Sequence, residues 1–144
     1  PCVALPASAA MAVSVFVDTS AWYALYVQGD AFHERATAAH DRLMREAAIL
    51  HTHDWVLLET LGLLEKRFGS GAAVGVCRAI RTSAVVQMHV LDGSLLDEVL
   101  GRYEAEASQG LVDLASFAVM ERLGLSRAFS YDDDFAHAGF RLEV

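Results

Sequence analysis

The run VSVFV at positions 13–17 constrains the fold more than any other segment. Val13, Val15 and Val17 on one face of a strand and Phe16 on the other leave no side suited to water. Such a strand has to lie inside a sheet covered on both sides, which in a chain of this size means a parallel sheet layered by helices. Strand-like runs recur at AILHT (48–52), VVQMHV (85–90) and RAFSY (127–131), and RLEV (141–144) reads as an edge strand. Helix-like stretches separate them: 20–27, 31–47 with Phe32, Ala36, Ala39 and Leu43 along one side, a helix that Asp54 is expected to cap and Gly69 to end after Phe68, then 94–107 and 113–123. The alternation predicts an α/β/α sandwich around a central, mainly parallel sheet.

The 144 residues suffice for one core and leave no room for a second. An apolar share of 54% fills such a core and excludes a disordered chain. The longest apolar runs fall well short of the roughly 18 residues a membrane helix requires. Residues 1–12 carry small side chains of signal-peptide type without a basic start or a full apolar stretch. They are expected to form a loose extension of a cytoplasmic protein whose folded domain spans 13–144. Cys2 and Cys77 are too few and too distant for a zinc ribbon, a redox pair or a disulfide framework.

Nineteen acidic against eleven basic residues give a net charge of −8. That balance argues against a simple nucleic-acid-binding module, whose footprint is basic. It is compatible with an enzyme that gathers divalent cations at an acidic site. Ten of the eleven basic residues are arginine, suited to pairing phosphate through two hydrogen bonds.

The acids themselves stand where an open α/β sheet places its ligands, beyond the carboxyl ends of strands. Asp18 follows VSVFV, Asp132 follows RAFSY within Asp132-Asp133-Asp134, and Asp113 opens the helix DLASFAVMERL. Each is equally suited to cap a helix. Glu59 is different, because WVLLETLGLLEKRF surrounds it with apolar residues and shares its face with Trp55, Val56, Gly62 and Leu63. A carboxylate there is expected to be buried, which is costly unless it is paired or holds a metal. Converging carboxylates suit Mg²⁺ or Mn²⁺, ions that take oxygen ligands, activate water and offset phosphodiester charge. His51-x-His53-Asp54 is a rival metal site lacking a third ligand, and reads as a polar strand end. GSGAAVG (69–75) follows a helix and lacks a Gly-Lys-Ser/Thr ending, so it is a flexible turn and no phosphate loop. Trp22, Tyr23, Tyr26 and Phe32 concentrate aromatic rings early in the chain, either as core or as a docking surface.

Taken in order, VFVDTSAWYAL, VLLETLGLL, GLVDLASFAVMERLGL and AFSYDDDFAHAGF resemble the PIN-domain family, particularly the VapC-type toxins of bacterial toxin–antitoxin pairs. The likeness runs from about residue 13 to 144. The family's opening pattern falls on Val17-Asp18-Thr19-Ser20, its buried Glu on Glu59, its third acid on Asp113, and its closing pattern on Ser130-Tyr131-Asp132 through Phe135. Two departures are visible: Val112 stands where relatives carry Ser or Thr, and the triple aspartate leaves Asp134 as an alternative to Asp132.

The resemblance implies a Mg²⁺- or Mn²⁺-dependent endoribonuclease that inhibits translation, homodimeric and restrained by a cognate antitoxin. Asp18 and Asp113 would be its principal metal ligands. Glu59 and Asp132 would complete the pocket, and Thr19 or Ser20 would position a water or a phosphate oxygen. Three other readings fit the same residues: an RNA-processing PIN nuclease outside a toxin system, a non-catalytic α/β binding module, and a different metal-dependent phosphohydrolase.

Overall fold

A computed structural model describes residues 12–144. The expected N-terminal extension therefore lies, except for its last residue, outside the described residues. The chain runs β1 (Ser14–Val17), α1 (Thr19–Tyr26), α2 (His33–Arg45), β2 (Ile49–His53), α3 (Asp54–Phe68), α4 (Ser70–Thr82), β3 (Val86–His89), α5 (Gly93–Ala105), α6 (Leu111–Leu123), β4 (Arg127–Phe129), α7 (Asp133–His137) and β5 (Arg141–Leu142). All four strand pairings are parallel, in the order β3-β2-β1-β4-β5. The apolar run that opened the argument is β1, the central strand. Val15, Phe16 and Val17 are fully buried.

That order positions the site. From β1 the chain winds outward through β2 to β3, then crosses back to lay β4 on the other side of β1. Right-handed crossovers put the helices of the two windings on opposite faces of the sheet. Between β1 and β4 the connections diverge, opening a crevice beyond the strands' carboxyl ends. Asp18 and Ser130 stand there, one residue past each strand. α6 runs through the core with every residue from Leu114 to Met120 buried, so only its first turn reaches the crevice.

Three local expectations change. Asp54 does not cap α3. His53 does, its ring nitrogen Nδ1 accepting from the Val56 backbone N–H at 3.2 Å. The Asp54 carboxylate accepts from the N–H groups of Trp55 and Leu91, both at 3.1 Å, and so ties the loop after β3 to α3. GSGAAVG is no flexible turn either. Gly69 alone makes the corner, at φ 84°, where a side chain would be strained, and α4 starts at the next residue. Phe32 lies off the buried side of α2, whose inward residues are Ala36, Ala39 and Leu43.

Candidate active site

Asp18 is a buried carboxylate divided between two tasks. Its backbone N–H extends the β1–β4 pairing by donating to the Phe129 carbonyl at 3.0 Å. Oδ2 caps α1, accepting from the Ser20 N–H at 3.3 Å, and also takes the hydroxyls of Ser20 at 2.9 Å and Ser130 at 3.1 Å. Oδ1 is buried with no hydrogen-bond partner. An orphaned carboxylate oxygen is costly in the interior. Burial raises the Asp18 pKa, and the hydrogen bonds from Ser20, the Thr19 and Ser20 backbone and Ser130 only partly oppose it. For this residue the capping role and a ligand role are compatible, because each uses a different oxygen.

The two serines are fasteners. Ser130 donates to Asp18 while accepting from the Asp132 N–H at 3.1 Å. Ser20 donates to Asp18 while accepting from the Tyr131 N–H at 2.9 Å. Each hydroxyl locks the segment after β4 onto the acid after β1. Ser20 is thereby engaged through its proton and one lone pair, and with Thr19 it lines the cleft. Asp132 in turn caps α7 through Oδ1, which accepts from the Asp134 N–H at 2.9 Å.

Asp113 occupies the exposed first turn of α6, half-buried. Its carboxyl is pushed up to about 7, first by desolvation and then by the negative charges of Asp18, Asp132, Glu59 and Asp134. Oxygens of Asp113, Asp132 and Asp134 lie within 4.8 Å of one another, the only such group of three potential metal ligands among the described residues. An open cleft of about 730 Å³ is lined by Asp18, Glu59, Asp113, Asp132 and Asp133, with Tyr23, Phe32 and Tyr131 among its apolar walls. The cleft lining thus joins Asp18, Glu59, Asp113 and Asp132, and Asp134 joins through its closeness to Asp113 and Asp132, whereas Asp18 and Glu59 stand outside that close group of three.

The environment of Glu59 departs from expectation. It is exposed, and the buried residue of that turn is its neighbour Thr60. The apolar residues around it in sequence are divided by the helix: Val56 and Leu64 face the core, whereas Leu58 and Leu63 are exposed and Leu63 lines the cleft beside it. Glu59 reaches the site from an open wall. Its cost of burial, the argument that singled it out, does not apply.

His53 and Ser116 were missed as parts of the site's framework. Because His53 Nδ1 accepts a hydrogen bond, the neutral ring carries its proton on Nε2 and donates to Ser116 Oγ at 2.9 Å. The Ser116 hydroxyl in turn donates a hydrogen bond to the Val112 carbonyl at 2.9 Å. This chain ties the end of β2 to the turn of α6 that carries Asp113. Desolvation, and secondarily the charge of His89, lower the His53 pKa to about 3, so the ring stays neutral. Its cap role was hidden because Asp54 is the stronger capping type. The rival histidines do not gather a ligand set: His51 Nδ1 lies 2.9 Å from His89 Nε2 as a hydrogen-bonded pair.

An oxygen-only donor set, an unpartnered buried oxygen and a carboxyl raised by desolvation and by its neighbours' charge together fit a hard divalent cation. A family model described as "PIN domain" matches residues 15–141. The 23S rRNA-specific endonuclease VapC20 of Mycobacterium tuberculosis is 40% identical over 130 residues, spanning 88% of this chain and 95% of that protein. The crystal structure of that VapC20, titled a sarcin–ricin loop cleaving toxin, is similar at a TM-score of 0.77 and 38% identity over 90% of this chain and 98% of the other. PAE2754 from Pyrobaculum aerophilum is similar at a TM-score of 0.60 and 26% identity, over 93% and 92%.

Proposed function

The chain belongs to the PIN-domain family, and from that premise we propose that it is the endoribonuclease toxin of a toxin–antitoxin pair, dependent on Mg²⁺ or Mn²⁺. One observation carries the metal-site reading: the partnerless Asp18 Oδ1, buried beside a cleft it shares with Asp113, whose carboxyl desolvation and then its acidic neighbours push up to about 7. Asp18 and Asp113 are the principal ligands in this reading. Asp132 completes the set with the oxygen its capping bond leaves available, and Asp134 is the alternative fourth acid. A bound divalent cation supplies charge neutralisation at the phosphodiester and acidifies water.

The chain's own groups do the rest. Asp113 would hold the cation as a carboxylate, so affinity would rise with pH through the neutral range in which it loses its proton. Glu59, exposed in the lining of the cleft, is free to accept the proton of an attacking water, where a buried and paired acid would not be. Ser130 holds Asp18 and the Asp132 backbone in fixed relation, so the acids do not have to reorganise as charge develops. His53 and Ser116 fix the register of α6 against β2 and keep Asp113 facing the cleft.

The substrate is RNA, and the 23S rRNA cut by the 40% identical relative is the first one to test. The protein is expected to be cytoplasmic and homodimeric and to be silenced by a small antitoxin. Among the described residues no helix is long and apolar enough to cross a membrane. The test is inducible expression with and without the neighbouring small gene, followed by primer extension on ribosomal RNA. Growth arrest with a discrete new 23S rRNA end, both relieved by coexpression, is the expected result. A PIN nuclease of RNA processing would cut without arresting growth, and a binding module would leave the RNA intact.

A further inference from the structure

One feature of the cleft is unused by the acids. Phe32 and Tyr131 stack face to face on its wall, centroids 4.4 Å apart and planes within 13°. The Arg35 guanidinium carbon lies 5.7 Å from one ring and 5.8 Å from the other. Tyr131 also packs against the core, edge-on to Phe129 at 6.2 Å. Phe32 leaves 38% of its surface exposed, although a large apolar ring gains most when covered.

Both rings are held in place by their backbones. The Asp30 carboxylate accepts from the Phe32 N–H at 2.9 Å, and the His33 ring is bonded to the Ala24 carbonyl at 2.7 Å. The Tyr131 N–H is bound to Ser20, and Tyr131 immediately precedes Asp132. A rigid aromatic plane therefore adjoins the acid cluster. Of the ten arginines, Arg42, Arg102, Arg122, Arg127 and Arg141 are engaged in ion pairs with glutamates, whereas Arg35 rests against the aromatic pair. In a molecule of net charge −8, a cation held against the two aromatic rings that line the acidic cleft is placed where an incoming phosphate needs one.

We infer that Phe32, backed by Tyr131, is a stacking platform for one unstacked RNA base beside the cleaved phosphodiester, and that Arg35 pairs with an adjoining phosphate. This rests on the endoribonuclease reading and adds a subsite to it. Aromatic planes accept any base, so the platform positions a looped-out nucleotide without choosing its identity. Phe32 and Arg35 are positioning residues for the substrate. Neither is a ligand of the cation.

The test uses a hairpin RNA with the sarcin–ricin loop sequence and 2-aminopurine in place of single loop bases. Binding is read by fluorescence with the Asp113→Asn protein, which leaves the RNA whole, and cleavage is read separately with the wild-type active site. Phe32→Ala is expected to weaken binding roughly five- to a hundredfold, the range that loss of one base–aromatic stack gives. It is also expected to abolish the 2-aminopurine quench and to raise KM with little change in kcat. Phe32→Trp restores all three, and Arg35→Gln weakens binding and flattens its salt dependence.

Unchanged binding and quench in Phe32→Ala, alongside normal wild-type cleavage, overturns the platform and leaves the nuclease reading intact. Quenching that depends on Phe32 in a protein that cleaves no RNA sinks the nuclease reading and upholds the platform. A Phe32→Ala protein that binds RNA normally but releases the antitoxin makes the surface a protein-docking site and overturns the inference. A hairpin that binds neither protein overturns it as well.

Discussion

At the scale of single residues, Asp113 is the group most out of balance. Its carboxyl titrates near 7 in the folded chain against about 3.8 when unperturbed. Without metal, the folded protein keeps a proton that the unfolded chain releases, so its contribution to stability falls as pH rises from about 4 to 7. Asp113→Asn removes that slope. In chelator at pH 8 the variant is expected to melt about 2–4 °C above wild type, the shift that ~1 kcal/mol produces in a domain of this size. The gap should narrow at pH 5 and close at about pH 4, where Asp113 is protonated in the folded and unfolded chain alike. A variant that melts lower at pH 8 would mean that Asp113 is a structural hydrogen-bonding group. The acids were legible from their places after strands, since Asp18 and Asp132 can hardly be elsewhere once β1 and β4 are known. The exposure of Glu59 was not legible, because the helix's rotation relative to the core decides which of several neighbouring leucines faces inward, and sequence spacing alone did not fix it.

At the scale of elements, the contact between β2 and α6 matters most, and it depends on one neutral histidine. The folded pKa of His53, about 3, lies below the ordinary 6.5, so its contribution is complete above 6.5 and is lost as pH falls toward 3. His53→Ala removes the α3 cap and the bond to Ser116, and is expected to cost about 2 kcal/mol at pH 7.5. The difference from wild type should shrink by pH 4.5, where the wild-type protein has already lost much of what the ring contributes. Urea melts at the two pH values check this, and a pH-independent difference would contradict the neutral-ring account. Ser130→Ala tests the other fastener: a loss of about 1 kcal/mol together with reduced cleavage is expected, since Asp18 and the Asp132 backbone lose their common partner. β1 was legible because Val15-Phe16-Val17 is a continuous apolar run, and β4 because Ala128 and Phe129 stand in a short run of strand type. The start of α4 was not, since Ser-Gly-Ala-Ala-Val-Gly carries two glycines that usually mark a turn and here are helical.

At the scale of the whole molecule, the reversal of strand order at β1 explains why acids from distant parts of the chain meet. Residues 18, 113 and 132 are brought together because two adjacent parallel strands send their chains apart at one end. The order of strands, and so the position of this crevice, depends on long-range pairing that local sequence patterns do not encode; the family motifs supplied that information instead. The concentration of negative charge at the crevice works against stability until a cation neutralises it. Saturating Mn²⁺, at about a hundred times its dissociation constant, is expected to stabilise the fold by about 2.7 kcal/mol, and by less at pH 6 than at pH 8 because Asp113 must first lose its proton. The central claim is that the Asp18–Asp113–Asp132 cluster holds the divalent cation on which RNA cleavage depends. Its most direct test is the rate of 23S rRNA cleavage by wild-type, Asp18→Asn and Asp113→Asn proteins, measured with Mn²⁺ and again with chelator. The account predicts discrete cleavage by wild type with Mn²⁺ alone and none by either variant under either condition, with all three proteins folded. Cleavage by wild type in chelator, or undiminished cleavage by both variants, would contradict it.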